Sequence, residues 1–229
     1  MSRFDGKEKR TLTIFIFIFV LLTAGIAIGG YLSYRNYEAQ FRAQAEHQLS
    51  VIAKLKASEL SNWRKERLAD AEMLRQNTTF AELAQAYFNN PQDVSAHTQI
   101  QTWLESYQIY GYDRVRLLDT QGKTILSAPT SAPPISSVVA QHIPEVLQSK
   151  QVVMVDFYYS DTDQRIDLAI LIPILNSQSG DQVIGLVSFS VNPKTYLYPY
   201  INEWPSDSTS SETLLVRREG NDVLYLNEI

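Results

Sequence analysis

The stretch that decides the fold is "VVMVDFYYSDTDQRIDLAILIPILNSQSGDQVIGLVSFSV", Val152 to Val191. It contains three apolar runs, Val152–Tyr159, Arg165–Leu175 and Val183–Val191, separated by Ser-Asp-Thr-Asp-Gln and Asn-Ser-Gln-Ser-Gly-Asp. β-Branched and aromatic residues between polar, turn-forming clusters read as consecutive strands joined by tight connections. The runs are nearly continuous in apolar character, which predicts a sheet covered on both faces.

Upstream, "LLDTQGKT" (Leu117–Thr124) ends in the Gly-Lys-Thr of a nucleotide-binding loop. A phosphate cradle needs a further glycine five positions before that Gly, and a helix after the loop. Leu117 occupies the earlier position, and Ile125-Leu126-Ser127-Ala128-Pro129 reads as strand. The segment is therefore a hairpin of Val115–Leu118 with Thr124–Ser127, Gly122 supplying the positive φ of the bend and Lys123 facing solvent. Between this hairpin and the three later strands, Pro133-Pro134 marks a loop and Ser136–Gln148 is expected to be mostly helical despite Pro144. Ahead of it, Thr79-Phe80-Ala81-Glu82 fits a capping box that opens a helix to Phe88, and Pro91 with Asp93 opens another through about Gln108. Two strands, a helical excursion and three strands predict an α+β module with a five-stranded antiparallel sheet of the PAS type.

Toward the N-terminus the pattern changes scale. Thr11–Tyr34 carries no charged residue and would extend ~36 Å as a helix, enough for a hydrocarbon layer of about 30 Å. Arg3, Lys7, Lys9 and Arg10 precede it, so the positive-inside rule places residues 1–10 in the cytoplasm and the chain after Tyr34 outside. A cleaved signal peptide is the alternative, since small residues occupy Ala24–Gly30. From Tyr31 to Gln76 neither Pro nor Gly occurs, and apolar residues such as Phe41, Leu49, Ile52, Leu60, Trp63 and Leu74 recur mostly at helical spacing. That is ~69 Å of helix, against roughly 35 Å for the width of a 100-residue domain. The helix is expected to cover one face of the sheet, with a coiled-coil dimer stalk as the alternative.

Downstream, a shift of 98 positions lays Leu117-Leu118 on Leu215-Val216, Gly122 on Gly220 and Ile125-Leu126 on Val223-Leu224. A second module is expected to begin here. Because a lone hairpin is marginal in water, the sequence reads as a truncated form of a longer protein. The resulting division is a cytoplasmic N-terminus (1–10), a transmembrane helix (11–34), a long exported helix (35–76), a PAS-like module (77–204) and the start of another (205–229).

Composition excludes several functions. A net charge of −5 without a basic cluster beyond the N-terminus argues against nucleic acid as partner. The sequence has no cysteine, and its three histidines, His47, His97 and His142, lack ligand-type spacing, so neither a metal nor another cofactor is expected. No Gly-x-Ser-x-Gly, Ser-x-x-Lys or His-Glu-x-x-His pattern suggests catalysis, and Asp161 and Asp163 read as turn residues.

This architecture, with "ASELSNWRKERLADAEML" (57–74), "RLLDTQGKTILS" (116–127) and "INEWPSDSTSSETLLVRREGNDVLYLNEI" (201–229), resembles the double Cache sensor domains of bacterial membrane receptors such as sensor histidine kinases and diguanylate cyclases. The resemblance implies a periplasmic or extracellular input domain anchored in the bacterial inner membrane. It would be a homodimer, non-enzymatic in itself, and part of a signal-transduction system that relays ligand binding to a cytoplasmic output domain. A membrane-anchored interaction or dimerisation module without a ligand is the alternative. Amino-acid-binding members carry an arginine shortly before a Trp-Tyr pair. Here Trp103 is followed by Leu104 and the nearest arginine, Arg114, comes later. Pockets of PAS type lie between sheet and helices, so polar residues within apolar strands are the candidate ligand contacts: Arg116, Asp156, Tyr158, Arg165 and Asp167, with Tyr107 and Tyr110 as walls. Arg116 or Arg165 would engage a carboxylate or other anion, and Asp156 or Asp167 would orient the arginine or meet an amine.

Overall fold

A computed structural model describes residues 5–195, 197–204 and 212–227, with side chains from Arg10 onward. Arg3, the side chains of Lys7 and Lys9, and residues 205–211 of the expected join lie outside that range. The chain divides into two compact units, Met1–Ser58 and Glu59–Ile229.

The described part of the first unit is helical and belongs to α1 (Asp5–Arg75), which continues without a break into the second. Its apolar residues from Leu12 to Ile28 are exposed all round, from 47% at Ile18 to 76% at Ile26. A helix apolar on every side needs an apolar environment. With a mean hydropathy of 2.7 in its most apolar window, α1 is the one helix among the described residues long and apolar enough to cross a membrane. Farther along, Arg42 bonds Glu38 one turn earlier at 2.7 Å, a solvated pair.

In the second unit, α1 contributes Trp63, Ala71 and Leu74 to a core shared with α2 (Thr78–Asn89) and α3 (Val94–Gln108). Asp93 caps α3 as expected, accepting from the Ser95 and Ala96 N–H groups. The cap of α2 is Asn77 and not Thr79. Its side chain accepts from the Phe80 N–H at 2.9 Å, and Thr79 lies inside the helix. Asparagine outranks threonine as an N-cap, so the helix starts two residues earlier than the capping-box spacing suggests.

The strands β1 (Arg114–Leu118), β2 (Thr124–Ala128), β3 (Val153–Ser160), β4 (Arg165–Leu175) and β5 (Val183–Val191) form one antiparallel sheet in the order β2-β1-β5-β4-β3. Gly122 bends the first hairpin at φ +82°, and Lys123 is exposed, as the sequence implied. The connection from β2 to β3 runs from one sheet edge to the other through α4 (Ser137–Gln141) and α5 (Ile143–Ser149). The segment 136–148 is mostly helical as expected, divided at His142 into two helices because Pro144 favours the first turn of a helix over its interior.

Alternation along the strands sends Val115, Leu117, Val187, Phe189, Leu168 and Ile170 to the face covered by α1–α3. The opposite face packs Leu118, Leu186, Ala169, Leu171 and Val155 against Val139, Ile143 and Val146 of the short helices. Both faces are covered, and β4 is buried from Asp167 to Ile174. Each fully buried aliphatic side chain contributes roughly 1.5–3 kcal/mol, which makes this sheet the stable body of the unit.

After α6 (Leu197–Asn202) comes a second hairpin, β6 (Val216–Glu219) with β7 (Asp222–Tyr225), turning at Gly220 with φ +64°. Its Val216, Val223, Leu224 and Tyr225 are exposed. Buried Asn227 holds its base, donating to Thr213 O and accepting from Leu215 N–H, both at 2.7 Å. Arg217 Nη1 ties it to β3 through Phe157 O at 2.9 Å.

Candidate functional site

The short-helix face of the sheet is apolar at one end and ionic at the other. Strand β1 directs Arg116 onto this face, opposite Ser188 of β5 and Ser127 of β2. Arg116 is 2% exposed and is the largest fully buried side chain among the described residues. Its Nε donates to Pro133 O at 3.1 Å and its Nη1 to Ser190 Oγ at 2.8 Å. None of the ion pairs among the described residues includes it. A buried guanidinium with only neutral acceptors is costly, because the attraction of a carboxylate does not offset the lost hydration. Burial, and then the charge of Arg114, lowers the basicity of Arg116, while Asp163, Tyr158 and Asp113 act the other way. Its cross-strand neighbour Ser188 is fully buried, and Ser188 Oγ has no hydrogen-bond partner.

Around this arginine runs a chain of alternating charges. Asp163 meets Arg114 Nη1 at 2.5 Å, Arg114 Nε lies 3.6 Å from Asp113, Asp113 bonds Arg165, and Arg165 Nε donates to Asp167 at 2.8 Å. Three carboxylates and two guanidiniums make up this chain, and none of its carboxylates forms an ion pair with Arg116. Asp167, 1% exposed, is pushed up to about 6 by burial, with Asp163 and Asp113 adding to the rise and Arg165 opposing it. Burial also disfavours the charge on Arg165, but its bonds to Asp167 and Asp113 outweigh this and its basicity is raised. Tyr158, opposite Asp167, has its phenol pushed up by burial and then by the Asp167 charge. Asp161 in the β3–β4 turn accepts from the Ser137 N–H, and bonds from Ser136 and Ser137 hold it down at about 2. The segment from Pro129 to Ser136 crosses the ionic end, held there by Pro133 O on Arg116 and by Ser127 Oγ donating to Pro129 O at 2.9 Å.

The structure brings Arg116, Tyr158, Arg165 and Asp167 together on this end. Asp156 is elsewhere: β3 is bulged between Val155 and Tyr158, which leaves Asp156 exposed and accepting from the adjacent Phe157 N–H. Tyr107 and Tyr110 lie on the helix face, where Tyr107 packs on Phe189 with ring centroids 4.9 Å apart. Asp113, Arg114 and Asp163 belong to the ionic chain although sequence reasoning passed them over. The signal for Arg114 was its spacing from Arg116, which strand alternation sends to one face, whereas Asp113 and Asp163 lie outside the strands and carried none.

No family model and no curated protein sequence matches this chain. Solved structures do. The sensor domain of the Vibrio cholerae histidine kinase DctB superposes with a TM-score of 0.52 at 13% identity, covering 74% of this chain and 62% of that one. The fold is that of the DctB sensor domain. The ligand-binding domain of the Pseudomonas aeruginosa amino acid chemoreceptor PctC, in complex with GABA, aligns at 18% identity and a TM-score of 0.49 over 69% of this chain and 68% of that one. A domain of a putative sensory box/GGDEF protein from Vibrio parahaemolyticus aligns at 18% identity and a TM-score of 0.49, over 67% and 61%. The chain spans about three fifths of the length of the DctB sensor domain it matches.

Proposed function

We propose that this chain is the input part of a bacterial transmembrane receptor, in which the ionic end of the sheet binds a small anionic or zwitterionic ligand under the 129–136 segment. The observation that carries the reading is Arg116, a guanidinium buried to 2% exposure without a carboxylate partner, beside the unpartnered hydroxyl of Ser188. A ligand carboxylate bonded to both would supply the missing countercharge. Arg165 is held by Asp113 and Asp167, so Arg116 is the anion contact and Asp167 orients Arg165. Asp163, joined to Arg114 and hydrogen-bonded by Ser160 Oγ, is placed to meet an amine.

In this reading residues 11–34 anchor the chain in the inner membrane, 35–76 carry movement inward, 77–204 sense on the outer side, and 205–229 open a second PAS-like module. The active form is a homodimer coupled to a cytoplasmic output of histidine-kinase or diguanylate-cyclase type. Occupancy acts by differential affinity for two arrangements of the sheet against the helix. A thermal-shift screen of the detergent-solubilised full chain against organic acids, amines and amino acids tests the assignment. The expected result is a compound that raises Tm in the wild type and has no effect on Arg116→Met. A stabilising compound that acts equally on both proteins would place the ligand elsewhere, and concentration-dependent self-association without any hit would favour an interaction module.

A further inference from the structure

The helix face holds a cavity, separate from the ionic end and about 410 Å³ in volume. That size suits a small organic molecule. Its walls are Trp103, Tyr107, Tyr110 and Tyr112, with Asp70 and Ser106 as polar lining. The rings are splayed and not stacked: Trp103–Tyr107 centroids are 5.0 Å apart at 40°, Tyr107–Tyr110 6.2 Å at 59°, and Tyr107–Tyr112 6.3 Å at 56°. Tyr112 is 2% exposed and packs on Phe189 at 4.3 Å, and Trp103 packs on Phe80 at 4.7 Å, so the inner walls are fixed by the core. Tyr110 is 67% exposed and forms the outer wall.

This corner already accommodates one cation. Arg67 places its guanidinium 5.3 Å from the centre of the Tyr112 ring and its Nη2 3.2 Å from Asp70 Oδ2. The Tyr112 hydroxyl donates to the same Oδ2 at 3.3 Å, so both bonds fall on one oxygen of Asp70, and none to Oδ1 occurs among the described residues. Arg67 itself also lines a neighbouring cavity of about 300 Å³ beyond Tyr110, together with Glu66. Tyrosine and tryptophan faces attract cations through the ring quadrupole, most strongly when the cation carries methyl groups in place of tightly held water.

The geometry points to a binding site in this cavity for an organic cation with a quaternary or alkylated ammonium head, its charge held by Asp70 and the rings of Trp103, Tyr107, Tyr110 and Tyr112. The site stands across the sheet from Arg116 and does not depend on the anion-binding reading.

Calorimetric titration of the full chain in lipid nanodiscs with choline chloride tests it, with 3,3-dimethylbutan-1-ol as the uncharged isostere. Choline is expected to bind saturably, and the alcohol about tenfold or more weakly. Asp70→Asn and Tyr110→Ala each weaken choline by about tenfold, whereas Tyr110→Phe, which keeps the ring, stays within about threefold of wild type. Because Tyr110 is largely exposed, its replacement leaves the core intact, and an unchanged circular dichroism spectrum verifies this. Absence of saturable choline binding, equal binding of the alcohol, or a Tyr110→Ala protein that binds as wild type would each overturn the assignment.

Discussion

One set of strands writes two unlike faces. Toward α1–α3, Phe189 sits in an aromatic row with Tyr107 and Tyr112, where contacts are dense and apolar. One residue along, Ser190 turns to the other face and accepts from Arg116 amid six charged side chains. Around Phe189 the helix face is built for stability, since its inner rings remove apolar surface from water. At its ionic end the other face buries charge, which costs stability unless something completes the network. That difference separates scaffold from site.

Deleting an inner ring breaks the comparison most severely. Phe189→Ala is expected to lower unfolding free energy by about 3–5 kcal/mol in denaturant titrations, from lost transfer energy plus the cavity left behind. A smaller loss is expected from Gly185→Ala. The added Cβ would lie 2.6 Å from the Phe88 ring and 2.8 Å from the backbone oxygen of Leu118, and overpacking of this kind costs about 1–3 kcal/mol. Arg116→Met should behave oppositely. Without ligand it is expected to leave stability unchanged or raise it by up to about 2 kcal/mol, because an uncompensated buried charge is exchanged for an apolar chain of similar length. A loss comparable to that of Phe189→Ala would make Arg116 a structural residue.

The smallest effect is a pH dependence. Asp167 is raised in the fold, to about 6, from an unperturbed value near 4. The folded state therefore binds this proton more tightly than the unfolded one, and ionisation works against folding. The contribution of Asp167 is most favourable below pH ~4, falls between pH ~4 and ~6, and is flat above. Subtracting the Asp167→Asn profile of Tm against pH from that of the wild type should isolate a decline in that window. A difference that rises with pH would reverse the sign.

Much of this fold was legible because local and global signals agree. Strand periodicity, the glycine at 122 and the cap at Asp93 each depend on neighbouring residues only. The site was less legible, and for a physical reason. The register of β1 on β5, which sets Arg116 beside Ser188 and Ser190, is a contact between residues more than seventy positions apart. The bulge that turns Asp156 outward has no sequence marker. Asp163 looked like any turn carboxylate, and only the pairing of the β3–β4 turn with Arg114 makes it part of a network. Tyr107 and Tyr110 were expected as walls of the ligand pocket, but Tyr107 on α3 packs on the aromatic side of the sheet and Tyr110 follows that helix in a turn.

Hydrogen–deuterium exchange of the full chain, with and without the compound that most raises Tm, tests the central claim most directly. Slowed exchange in 129–136 and in Arg114–Leu118, with little change in 103–112, is the predicted result. Protection confined to 103–112, with 129–136 unaffected, would contradict the assignment of the ligand to the face around Arg116.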